Sequence, residues 1–156
     1  MRKKAAAALV LFALACGAAR GQGVRPPAWA GRFYESDGAR LSASVDAFLA
    51  AAAPAAVDGD IKALIVPHAG YVYSGRTAAF GYKLVQGKDI ETVVIIGPSH
   101  RLGFDGASVW PDGAFETPLG AAAVDAEAAK SLARAGGFSF VPEAHAEEHA
   151  VEVQVP

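Results

Sequence analysis

Apolar residues fall into two kinds of run along this chain. Ala63-Leu64-Ile65-Val66 and Thr92-Val93-Val94-Ile95-Ile96 are short, rich in β-branched residues and apolar at consecutive positions. That is the pattern of a parallel strand buried on both faces. Each run stops near a proline, Pro67 or Pro98, which cannot donate to a sheet ladder. Elsewhere the apolar positions recur at helical spacing. Leu41, Val45, Phe48 and Leu49 form one face after the capping residues Ser36-Asp37, and the run closes in Ala50–Ala53 before Pro54. Arg76 to Leu84 predicts a second helix, packed through Ala78, Ala79, Tyr82 and Leu84 and stopped at Gly87.

These elements predict a strand over Ile61–Val66, a loop and helix, and a second strand over Thr92–Ile96. A right-handed crossover with parallel pairing follows. Gly106–Trp110 and Phe138–Val141 are further strand candidates, and Asp125 caps a helix through Ala135 that Gly136-Gly137 ends. Glu147 to Val155 has the acidic start of another helix, while Gln22 to Trp29, with Arg25-Pro26-Pro27, reads as an extended linker or arm. The fold class is α/β, a parallel-rich sheet flanked by helices, and the count of strands predicts an incomplete domain.

Both buried strands lead directly into a histidine. Val66 is followed by Pro67-His68-Ala69-Gly70-Tyr71, and Ile96 by Gly97-Pro98-Ser99-His100. Ligands bind at the carboxyl edge of open parallel sheets. Neighbouring strands would bring the two imidazoles together, and converging imidazoles are most of a metal site. A lone histidine after a strand is more often a hydrogen-bonded loop residue; two at matched strand ends raise the metal reading to a serious one. His149, beside Glu148 and Glu152, offers further nitrogen and carboxylate donors. No compact motif such as His-Glu-x-x-His is present. Gly97-Pro98-Ser99-His100-Arg101 is no nucleophile elbow, and Gly70, Gly75 and Gly81 form no phosphate-binding fingerprint.

Composition narrows the setting. The 156 residues, 53% hydrophobic and 19% charged, suit one globular domain. Part of the apolar content belongs to an export signal over residues 1–21: the basic Arg2-Lys3-Lys4, the apolar stretch Ala5 to Ala15, and small residues after it. The only cysteine, Cys16, sits in Ala13-Leu14-Ala15-Cys16-Gly17, which resembles a lipoprotein cleavage box; simple cleavage near Ala19 or Gly21 is the alternative. The expected location is exported, periplasmic or envelope-anchored in a bacterium, with membrane contact only through the signal or a lipid. Loss of Arg2, Lys3 and Lys4 takes the formal charge from −2 to −5, and an acidic mature domain argues against nucleic acid as partner.

Five ordered blocks carry a family resemblance. Pro67-His68-Ala69-Gly70-Tyr71 with Tyr73-Ser74-Gly75, then Gly97-Pro98-Ser99-His100, Thr117-Pro118-Leu119-Gly120 and Glu148-His149-Ala150-Val151-Glu152 resemble the Memo family, labelled AmmeMemoRadiSam system protein B in bacteria. Ala30-Gly31-Arg32-Phe33-Tyr34 is similar to its N-terminal signature. The resemblance runs from about Arg25 to Pro156. It implies a fold related to the catalytic subunit of class III extradiol dioxygenases, with His68 and His100 as metal ligands. It places His149 and Glu152 in the site region. The family's Ser-Asp-Phe-x-His block and late Cys-Gly have no counterpart before Pro156, so a Memo-like domain over 22–156 truncated at its C-terminus is expected.

The expected function is metal binding, with non-haem iron or copper favoured over zinc and redox or dioxygenase-like chemistry. His149 and Tyr71 are the acid–base candidates. The ligand would be a small molecule or peptide. A non-enzymatic ligand- or peptide-binding module and an inactive fragment are the alternatives.

Overall fold

The computed structural model describes residues 23–156; the expected export signal and Cys16 lie outside them. The described chain is mixed α/β, with four helices and two small sheets. The first sheet joins β1 (Val24–Arg25), β3 (Ala114–Thr117) and β4 (Gly120–Ala123) in the order β1-β3-β4. β1 runs parallel to β3, with Arg25 opposite Phe115, and β3 turns back antiparallel into β4. The hairpin, unforeseen in the alanine-rich Gly120–Ala123 segment, is closed by the Thr117 hydroxyl, which donates to Gly120 O and accepts from Leu119 N. The second sheet pairs β2 (Ala107–Ser108) in parallel with β5 (Phe138–Ser139).

Two helices begin where the sequence places their caps. Asp37 accepts from Arg40 N at 2.9 Å to start α1 (Gly38–Ala51), and Asp125 accepts from Ala128 N at 2.9 Å to start α3 (Ala126–Arg134). Helix α2 (Tyr71–Val85) starts five residues earlier than periodicity predicts. Its first turn has no side-chain cap on Gly70; instead Tyr71 N donates to Phe33 O at 2.7 Å. Helices α1 and α2 pack through Gly75, where an added Cβ would stand 2.6 Å from the Phe48 ring. The core lies beside this crossing: Leu41, fully buried, joins Trp29, Tyr34 and Val153, with Phe33, Val45 and Tyr71 packed against them.

Three expectations need correction. The runs Ile61–Val66 and Thr92–Ile96 enter no ladder among the described residues, and Ile65 and Ile96 are almost wholly exposed. A doubly buried strand needs strand neighbours and cover on both faces, and these runs lack both here. The segment from Glu147 is not a helix either. The short helix α4 (Pro142–Ala146) precedes it, and only a 3-10 turn, Glu152–Gln154, follows. Glu148 turns back on its own chain to accept from Ala150 N, which competes with helical bonding. Finally, the arm expected over Gln22 to Trp29 is, in its described residues 23–29, no linker: Arg25 is 2% exposed.

Arg25 explains the burial of the arm. Its Nε donates to His145 O at 2.8 Å, its Nη2 to Glu148 O at 2.7 Å and its Nη1 to Glu152 Oε2 at 2.6 Å. Glu152 also accepts from Ala28 N, Trp29 N and Tyr34 Oη. Burial and the Glu152 hydrogen bond push the Tyr34 phenol above its ordinary pKa, so it stays a donor. Arg25→Met would leave Glu152 an uncompensated buried charge and lower stability by about 3–5 kcal/mol, read by chemical denaturation. Arg25→Met with Glu152→Gln should recover part of that loss; a double variant that loses the sum of the two singles would show that the groups do not act together.

Candidate metal centre

His68, His100 and His149 come from three separate segments. His68 lies just before α2, His100 after the second apolar run, and His149 between α4 and the 3-10 turn. One donor nitrogen from each lies within 4.8 Å of the other two. The His100 and His149 rings stack at 4.4 Å between centroids, and His68 stands 5.3 Å and 5.9 Å from them. The structure thus brings together both histidines that follow the apolar runs and His149. His145 stays outside, its Nε2 2.8 Å from the Ser108 hydroxyl.

Each loop is held by specific contacts. The His68 loop is tied to the chain around Val153: Gln154 Nε2 donates to Pro67 O at 3.0 Å, and the Tyr71 hydroxyl donates to Val153 O at 3.0 Å. Ser74 Oγ donates back to Ala69 O at 2.8 Å. The His100 loop is held by Glu148, which accepts from His100 N and lies 2.8 Å from its Nδ1. The same loop touches the His149 segment through Gly97, where an added Cβ would stand 2.7 Å from Ala150 Cβ.

Glu148 is the site residue that sequence reasoning missed as an orienting group. Burial alone would raise its carboxyl, but hydrogen bonds from the His100 and Ala150 amides, with the His100 ring, outweigh that and hold it down at about 2. An anionic carboxylate at Nδ1 keeps the His100 proton there and leaves Nε2 as a lone-pair donor, the arrangement common to metal-bound histidine. The signal was present in the sequence: an acidic residue directly before His149.

His149 carries the most telling atom. Its Nδ1 is buried without a hydrogen-bond partner among the described residues, and Glu148 Oε1, at 3.5 Å, is too far and poorly placed to serve. Burial, then the neighbouring histidines and Arg101, push its pKa below the usual imidazole value, against the opposing pull of Glu148. A neutral ring with an orphaned nitrogen beside two more imidazoles fits a bound cation, because buried polar atoms are otherwise paired. Three imidazoles could hold iron, copper or zinc.

The two remaining candidates are placed differently. Glu152 has its oxygens committed to Arg25, Ala28, Trp29 and Tyr34. The Tyr71 hydroxyl is engaged with Val153 O, and burial raises its pKa above the ordinary phenol value.

A family model for Memo-like proteins matches residues 25–156. The chain belongs to the Memo family. It is 39% identical over 134 residues to a MEMO1 family protein of Thermoplasma volcanium, covering 85% of this chain and 49% of that one. It is 41% identical over 135 residues to one of Thermococcus onnurineus, covering 85% and 46%. This Memo chain therefore spans about half the length of the curated relatives it matches.

Two variants test how the Memo loops are held. Glu148→Gln keeps the shape but removes the charge at His100 Nδ1, and should weaken metal binding about 10- to 100-fold in a chelator competition titration. Gly97→Ala should push the His100 loop off Ala150 and cost about 1–3 kcal/mol in thermal or chemical unfolding. Unchanged metal affinity in the first, or unchanged stability in the second, would show that the contact does not hold the loop.

Proposed function

We propose that this chain supplies the histidine face of a metal centre in a Memo domain, serving redox or dioxygenase-like chemistry on a small-molecule or peptide ligand. The observation that carries the reading is the convergence of His68, His100 and His149 with a buried, unpartnered His149 Nδ1. His68 and His100 are the proposed ligands. Iron or copper is preferred to zinc, because a histidine set that leaves coordination positions open suits oxygen chemistry. A bound redox metal would supply electron transfer and polarise a substrate oxygen.

The protein's own groups have separable roles. Glu148 fixes the His100 ring through Nδ1, and the Tyr71 hydroxyl anchors the His68 loop to Val153. His149, held neutral by burial, is suited to accept a proton from a substrate hydroxyl as a general base. It could instead provide a third nitrogen to the ion. Glu152 acts at one remove, by fixing the segment that bears His149. The relation of the whole domain to class III extradiol dioxygenases rests on family membership. The exported, periplasmic or envelope-anchored location rests on residues 1–21.

Equilibrium dialysis of the protein with ferrous, cuprous and zinc ions, followed by elemental analysis, is the direct test. One ion per chain is expected, removable by chelator and lost in the His68→Ala, His100→Ala double variant. Undiminished metal content in that variant would refute the assignment. Oxygen uptake with a panel of catechols, dependent on bound iron, would support the reaction class; catechol turnover that survives complete metal removal would exclude it.

A further inference from the structure

His145 stands outside the imidazole cluster, yet its two ends join the parts of the molecule that hold that cluster. Its ring faces the second sheet. Nε2 lies 2.8 Å from Ser108 Oγ, the ring meets Trp110 edge-on at 5.5 Å between centroids, and Phe140, next after β5, lies 6.1 Å away. Its carbonyl faces the N-terminal arm, accepting from Arg25 Nε at 2.8 Å and from Glu148 N at 3.4 Å. Glu148, which holds His100, and His149 follow within four residues.

The hydrogen bonds fix which ring nitrogen carries the proton. Val141 N donates to Ser108 Oγ at 2.9 Å, and the serine's own proton has no acceptor but His145 Nε2 among the described residues. Nε2 therefore accepts, and Nδ1 bears the ring proton. A protonated ring would make Nε2 a second donor to the same oxygen and strand the serine proton. Burial first, then Arg25, press the ring towards its neutral form, against the opposing pull of Glu148. Arg25 and Glu148 are the charged groups that act on the ring. Ser108, Trp110, Phe140 and Val141, its neighbours from the second sheet and the turn into α4, carry no charge.

We propose that His145 is a positioning residue for the histidine centre: its neutral ring latches the second sheet onto the segment that carries Glu148 and His149. The latch rests on the reading of the histidines as a metal centre and adds a control on its geometry from outside the cluster. It is closed at neutral pH. With the native pKa pressed below the unfolded value of about 6.5, the stabilisation is present above that value and lost as pH falls through the native one.

Nitrogen NMR of the imidazoles in metal-free protein, together with chelator competition for zinc as a redox-silent probe, tests this. The Nδ1–H tautomer is expected for His145 at neutral pH. His145→Ala should shift the His149 ring resonances and weaken zinc binding about tenfold. His145→Gln, whose side-chain oxygen takes the Ser108 proton without titrating, should keep most of the affinity and lose it less steeply than the parent protein on acidification. An Nε2–H tautomer would overturn the latch. So would a His145→Ala variant that loses stability while the His149 resonances and zinc affinity stay unchanged, since the residue would then be purely structural. A glutamine variant as weak as the alanine one would also overturn it. A parent protein that binds no zinc, yet shows the expected tautomer and a His149 shift in His145→Ala that His145→Gln reverses, would uphold the latch and sink the metal reading.

Discussion

The buried pair of Arg25 and Glu152 is the constraint on which the site depends. It joins residues 127 positions apart in sequence, and each side chain has further partners. Arg25 gathers the carbonyls of His145 and Glu148, while Glu152 takes the amides of Ala28 and Trp29 and the Tyr34 hydroxyl. An ion pair of this kind need not stabilise more than apolar residues would, because both charges lose their hydration. What it does here is geometric. The irregular segment from His145 to Glu152 is held against the N-terminal arm, and His149 lies inside that segment.

A second carboxylate completes the arrangement. Glu148 bridges from the same segment to the backbone and ring of His100, so the loop that carries one histidine also orients another. The third is brought in by different means, through the start of α2 and the contacts of Gln154 and Tyr71 around Val153. Each histidine thus has its own mechanical support, and all three supports meet in residues 148–154. An irregular backbone suits such a junction, since a regular helix would use its amides on itself, whereas here the Ala150 amide is free to hold Glu148.

The exposed apolar runs sit awkwardly beside so well-tied a site. Ile65, Val93, Val94 and Ile96 are open to solvent, and their backbones enter no ladder among the described residues. The curated relatives are about twice as long as the matched region. Within the described chain, the loops that follow these runs are fixed by contacts to the C-terminal segment rather than by a sheet. Among the described residues the histidine cluster is assembled without strand pairing at those runs.

Much of this was legible in residue order. The N-caps at Asp37 and Asp125 are local interactions, each between a side chain and an amide three residues on, and they occur as expected. His68 and His100 were marked by their position after apolar runs, and the Memo blocks are contiguous strings. The role of Arg25 was not legible, because a charged residue before two prolines reads as solvent-exposed until its distant partners are known. The hairpin at Thr117–Gly120 escaped because an alanine-rich strand has no period. The sequence by itself determined the capped helix starts, the family and two of the three histidines, since each depends on neighbours within a few positions. Only the tertiary structure decided that His149 comes within ligand distance of both, that Glu148 rather than Glu152 faces His100, and that the N-terminal arm is buried. Those outcomes rest on hydrogen bonds and ion pairs between segments tens of residues apart, where burial of one charge is tolerable only if the opposite charge arrives with it.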